Sequence, residues 1–102
     1  MSFNIEEMYT TLRGVSGGNG AKFDTVRKWF HICKIIDGRY VTEGLFIHSY
    51  ERLCPNREEM SLVQFVQLLG ILARETKQEV DVFVTRFRTV NQQIIDEIRG
   101  DD

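Results

Sequence analysis

The chain is short of the residues that break helices, link cysteines or cross membranes. Its single proline, Pro55, leaves long stretches free to be helical, since proline is the residue that interrupts a helix most strongly. Its two cysteines, Cys33 and Cys54, form no C-x-x-C pair, so free thiols in a reducing compartment are expected rather than a disulfide framework. There is no run of about 18 apolar residues that could span a bilayer. The N-terminal M-S-F-N-I-E-E lacks the basic-then-apolar order of a signal peptide, and Ser2 stands where myristoylation needs glycine. The expected location is the cytosol. A large excess of one charge is also lacking. The net charge of −2 excludes a generic polyanion binder, so neither nucleic acid nor a membrane is an expected partner.

What is present suits one small domain. A hydrophobic content of 42% over 102 residues is enough for a modest core. Charge is unevenly spread. From Lys22 to Arg39, the cations Lys22, Arg27, Lys28, Lys34 and Arg39 oppose only Asp24 and Asp37, a local excess of +3. From Glu75 to Asp102, seven acids oppose four bases. A basic front and an acidic tail speak to partners and not to fold.

The hydrophobic spacing predicts five helices. Phe3, Met8, Tyr9 and Leu12 predict a first helix over about 3–13, with Ser2 or Asn4 as cap. Gly14 to Gly20 carries four glycines in seven residues and reads as a mobile loop. It is not a phosphate cradle, because no Gly-Lys-Ser/Thr follows and no strand precedes. A second helix opens at Phe23-Asp24 with Asp24 as N-cap. Val26, Trp29, Phe30 and Cys33 form its inner face, Trp29 anchors that half of the core, and Arg27, Lys28, His31 and Lys34 face water. Cys33 to Thr42 is the hinge of the chain, with a turn at Asp37-Gly38 and an extended Tyr40-Val41. The brief segments Arg39 to Val41 and Glu59 to Ser61 are expected to pair.

Thr42 caps a third helix holding Phe46, Ile47, Tyr50 and Leu53, which stops at Cys54-Pro55-Asn56. The fourth begins after Ser61. It is apolar around more than half its circumference, which predicts the most buried element, and Gly70 within it costs about 1 kcal/mol of helix propensity unless a neighbour packs closely there. A fifth helix, about 78–98, carries Val80, Val84, Phe87, Asn91, Ile94 and Ile98 at heptad-like spacing. Packing back on the domain is expected, which gives a monomer; weak self-association through this helix as a coiled coil is the alternative.

The fold class expected is therefore all-α. Two helix-loop-helix units joined through a short two-stranded pairing follow the plan of a paired EF-hand domain, with an added C-terminal helix. K-W-F-H-I-C-K-I-I-D-G-R-Y-V-T, followed by M-S-L-V-Q-F-V-Q-L-L-G-I-L-A-R, resembles the tubulin polymerisation-promoting protein family. That family carries a lysine-flanked cysteine, then I-D-G-basic-x-V-T, then an I-T-F-E-E-F-like helix start. Cys33, Lys34, Ile36, Asp37, Gly38, Val41, Thr42, Ser61, Phe65, Leu69, Leu72 and Ala73 stand at matching spacings, and the resemblance covers about 22–74. Leu62-Val63-Gln64 departs from the aromatic-acid-acid expected before Phe65. Ending at R-G-D-D, the chain is also expected to lack the family's basic, glycine-rich C-terminal extension.

Calcium needs oxygen ligands at loop positions 1, 3, 5 and 12. With Met60 at the eighth position, the second loop offers Leu53, Pro55, Arg57 and Gln64. With Phe23 at the eighth, the first offers Ser16, Gly18, Gly20 and Arg27. Degenerate loops without calcium are expected. The soft ligands His31, Cys33, His48 and Cys54 do not suit zinc, since His31 and Cys33 point to different helix faces; Cys33 reads as a core residue and His48 as partly buried. No Cys-His pair has the company a nucleophile needs. Neither a cofactor nor catalysis is expected.

The resemblance implies a non-catalytic protein that binds tubulin or microtubules and promotes assembly or bundling, in the cytoplasm and on the cytoskeleton, cilium or flagellum included. Microtubule surfaces are acidic, so the expected tubulin contacts are Lys22, Arg27, Lys28, Lys34 and Arg39. The alternative is a calcium-independent adaptor that grips a partner helix in an apolar groove.

Overall fold

Helix α1 begins where Asn4 can cap it. The Asn4 side chain accepts the Glu7 N–H at 3.0 Å, and Glu6 and Glu7 add negative charge beside the positive end of the helix dipole. The structure, a computed structural model, describes residues 4–100, with side chains through residue 91; the expected helical start at Phe3 and the alternative cap Ser2 lie outside the described residues. α1 (Ile5–Ser16) runs a turn further than its apolar spacing predicts. It stops at Gly17, whose φ of 72° lets its N–H close on the Arg13 carbonyl, a left-handed cap that glycine adopts without a Cβ clash. Part of the expected glycine loop is thus helix.

α2 (Phe23–Ile32) follows, and its N-cap is Lys22, which makes no side-chain cap bond. Asp24 lies one residue inside the helix, where its charge still favours the dipole but it caps nothing. Phe23, Val26 and Phe30 are buried while Trp29 is only half-buried. Phe30, packed against Phe46 and Phe65, takes the central place expected of Trp29, which instead stacks on Phe87 at 5.2 Å.

Thr42 caps α3 (Glu43–Leu53) through the Leu45 N–H. Ser61 and Gln64 cap α4 (Leu62–Thr76) reciprocally, each side chain accepting the other's backbone N–H, which satisfies two orphan donors at once. α4 buries Phe65, Leu68, Leu69, Leu72 and Ala73, but its outer side is bare. Val63 is 68% exposed and Val66 45%, and nothing lies within 4 Å of where a Cβ on Gly70 would stand. Among the described residues α4 buries more side chains than any other helix, as expected, but it does so on one face, because the apolar sequence has neighbours on one side.

α5 (Val80–Gly100) packs on α1, α2 and α4. Phe83 and Phe87 are fully buried and Val84 nearly so, so this part of the stripe faces the domain and is not free for a coiled coil; the side chains of Ile94 and Ile98 lie outside the described residues.

The two loops meet at one antiparallel bridge, Ala21 with Met60, through N–H···O bonds of 3.0 and 2.8 Å. The pairing expected between Arg39–Val41 and Glu59–Ser61 does not form. The N–H groups of Arg39, Tyr40 and Val41 are already taken by the Asp37 carboxylate, so that segment has no donors left for a ladder. Two tyrosines fasten the bridge from below. The Tyr9 hydroxyl donates to the Met60 carbonyl at 2.9 Å, and the Tyr50 hydroxyl donates to the Glu58 carbonyl at 2.7 Å. Gly20 is required here, since a Cβ on it would come 2.7 Å from the Met60 carbonyl oxygen.

Candidate protein-binding surface

The I-D-G-x-x-V-T element is a folded turn built on one carboxylate. Asp37 Oδ1 accepts the N–H groups of Arg39, Tyr40 and Val41 at 3.0, 2.9 and 3.0 Å. Gly38, at φ 76°, turns the chain so that its N–H meets the Val41 carbonyl. Ile35, Ile36 and Val41 are buried beneath, so the apolar letters of the motif root the turn and the polar ones shape it. Partial burial raises the pKa of Asp37, but the three N–H bonds and the Arg86 charge outweigh it and hold the carboxyl below its ordinary value.

Arg86 is the contact the sequence gave no sign of. From α5 it donates to the Lys34 carbonyl at 2.8 Å and stands 3.8 Å from Asp37 Oδ2. Lys34 itself sits at φ 60°, a conformation that costs a non-glycine residue of order 1 kcal/mol, and the Arg86 bond holds it there. A separation of 52 residues leaves no periodic signal from which such a pair could be read.

The five cations expected to form one contact patch do not stay together. Lys22 stands at the start of α2, on the rim of an open hollow that Asp24, Arg57, Glu58 and Glu59 also border, about 15 Å of helix away from the other end. Arg27 forms an ion pair with Glu43 at the start of α3. Glu43 also faces His31 at 3.6 Å, and its carboxyl is held below its ordinary value chiefly by the Arg27 hydrogen bond. Arg27 thus spends its charge within the domain. Lys28, Lys34 and Arg39 are exposed, and no acidic side chain pairs with them among the described residues. The Arg39 guanidinium lies 5.2 Å from the centre of the Tyr40 ring. Tyr40 is 50% exposed and Ile32 47%, so the basic residues have apolar neighbours in sequence that are also open to a partner.

The bridge corrects the register of the first loop. With Ala21 and not Phe23 opposite Met60, the calcium-style positions 1, 3, 5 and 12 hold Gly14, Ser16, Gly18 and Thr25, still without a carboxylate. In the second loop Gln64, at position 12, donates from Nε2 to the carbonyl of Leu53, at position 1, at 3.2 Å. A direct hydrogen bond therefore links the points that an ion would bridge. The first loop is closed by Glu59, whose carboxylate accepts the Gly20 N–H at 3.0 Å.

Among the described residues, no three His, Cys, Asp or Glu side chains come together as a metal site. Both cysteines are buried and free. Burial pushes the Cys33 thiol up to about 12; burial and then the Glu58 charge raise Cys54. Neither is a ready thiolate at neutral pH. His48, expected to be partly buried, is exposed, as is His31. No helix among the described residues is long and apolar enough to cross a membrane.

The apolar crevice that an adaptor would need lies between α1, α2 and α4, and it is filled by Phe83, Val84 and Phe87 of α5. What remains outside α5 is an open hollow of about 380 Å³ bordered by Cys33, Thr85, Thr89 and Val90. Comparison of this chain with protein families, with curated proteins and with solved structures finds no match.

Proposed function

We propose that the chain is a non-catalytic domain that binds tubulin or microtubules and favours their assembly or bundling, with Lys28, Lys34 and Arg39 as the contacts. The observation that carries this reading is the Asp37 turn. It is braced by Arg86 from α5 and leaves Lys34 and Arg39 exposed without acidic partners among the described residues, so their charge is available to an acidic surface. The family resemblance in 22–74 supports tubulin as that surface and an EF-hand-like ancestry for the paired loops. Arg27 drops out of the contact set, because its charge is paired with Glu43; Lys22 drops out because it stands at the opposite end of α2 from Lys34 and Arg39.

The test is co-sedimentation with microtubules across a salt series. Screening shortens from about 10 Å at 0.1 M to about 3 Å at 1 M, so binding through these exposed cations falls steeply as salt rises. The triple variant Lys28→Glu, Lys34→Glu, Arg39→Glu is expected to stay in the supernatant while keeping its helical circular dichroism. Unchanged pelleting of that variant rejects the reading. The adaptor reading is less favoured, because α5 would first have to leave the crevice and expose two fully buried phenylalanines, at about 1.5–3 kcal/mol each.

A further inference from the structure

The outer face of α4 carries exposed apolar side chains that neither the core nor the proposed tubulin contacts account for. Val63 is the most exposed large hydrophobic residue among those described, at 68%, and Val66 follows on the same face at 45%. One turn further on, Gly70 is exposed with open space around it. Beside Gly70 lies an open hollow of about 420 Å³ bordered by Leu53, Gln67, Ile71 and Arg74. A protruding valine and a hollow over glycine thus share one helix face, two turns apart. Charge follows the same order, since the exposed Glu58 precedes α4 and the exposed Arg74 comes near its end. Arg74 forms no ion pair among the described residues.

We infer that this face docks against the same face of a second copy of the chain, with the two α4 helices antiparallel about a two-fold axis between Val66 and Gln67. Residues 63 and 70 lie equally far from that midpoint, so Val63 of each copy enters the hollow over Gly70 of the other. The antiparallel arrangement also brings the Arg74 end of one α4 toward the segment that precedes the other α4, where Glu58 is exposed. A face that carries both a knob and its hole, and both an acid and its base, is self-complementary, which is what a two-fold interface requires. A different partner helix would have to match knob, hole and charge order independently; a second copy matches them by symmetry. Three turns of helix fall well short of the roughly 800 Å² per partner of a standard interface, so the dimer is weak, dissociating at a concentration on the order of 100 µM. This inference does not depend on tubulin binding, because its test reads mass and not microtubules.

The test is sedimentation velocity on the full chain from about 10 µM to about 1 mM, which brackets that constant. The expected result is a shift from 11.9 kDa toward twice that mass as concentration rises. Val63→Asp removes the knob and Gly70→Leu fills the hole. Both positions are exposed, so both variants keep the helical fold, and each weakens the dimer at least about tenfold. Mixed together they recover part of the association, since the valine of one still fits the hollow of the other. As a second readout, Gln67→Cys sits beside the axis and is expected to form a disulfide-linked dimer on mild oxidation, whereas the wild-type chain, with both cysteines buried, does not. A chain that stays monomeric throughout, a dimer that survives both variants, or one lost with Val63→Asp but kept with Gly70→Leu overturns the inference. The last outcome would indicate a parallel contact or another partner surface.

Discussion

Replacing Asp37 tests the central structural claim, that one carboxylate holds the motif together. Asp37→Ala removes the acceptor of three N–H groups and the ionic partner of Arg86. Hydrogen bonds to a charged group are worth about 1.5–3 kcal/mol where water cannot replace them. Only the Val41 bond is partly buried, while the Arg39 and Tyr40 amides are exposed and regain water. The Arg86 pair is half-open to solvent and adds at most about 1 kcal/mol. The expected loss is about 2–3 kcal/mol, and with an unfolding entropy near 2.1 cal/mol/K per residue this lowers Tm by roughly 10 °C.

Asp37→Asn keeps an acceptor oxygen and loses only the charge, so it should cost about 1 kcal/mol at pH 7. The pH dependence separates the two effects. Because the folded pKa is depressed, the stabilisation by the charge is complete above the ordinary aspartate value of about 3.9 and is lost as pH falls through the lower folded value. The gap between wild type and Asp37→Asn should therefore narrow as pH falls below the ordinary aspartate range. Urea unfolding followed by the fluorescence of Trp29, which is stacked on Phe87 in the core, measures each point. A gap that does not narrow as pH falls below the ordinary aspartate range, or an Asp37→Ala loss below about 0.5 kcal/mol, would refute the reasoning.

Further substitutions probe other joints. Gly20→Ala should destabilise by about 1–3 kcal/mol, because its Cβ would press on the Met60 carbonyl that Ala21 and Tyr9 both use; wild-type stability in urea would mean the bridge is dispensable. Gly70→Ala should stabilise by about 1 kcal/mol in dilute solution, since among the described residues nothing beyond its chain neighbours and its own helix backbone stands within 4 Å of the new methyl; a lower Tm would contradict the open face of α4. Ser49→Ala should be neutral or stabilising by up to about 1 kcal/mol, because the buried Ser49 hydroxyl has no hydrogen-bond partner among the described residues, and a loss above that value would reveal one.

Local rules carried the helices a long way. Thr42 and Ser61 cap where their side chains predict, and helix content, the break at Pro55 and the free thiols follow from residue types whose physics is local. Errors arise where two segments compete for the same groups. The expected pairing of Arg39 to Val41 fails because Asp37, two to four residues back, reaches those N–H groups first. Asp24 gives up its capping role because the chain enters α2 two residues earlier than expected, with Lys22 at the N-cap. The basic patch divides for the same kind of reason: Arg27 meets Glu43, 16 residues away, and no spacing in the sequence announces that.

By itself, then, the sequence determined an all-helical domain, most of its caps and core letters, and a surplus of positive charge around the hinge. Only the tertiary structure decided which loops meet, which cations keep their charge free, and which half of an apolar helix stays bare. Capping and amphipathic periodicity act over a turn or two of backbone, whereas bridge register, ion pairing and burial depend on distances across the fold, which are set only once every helix has packed.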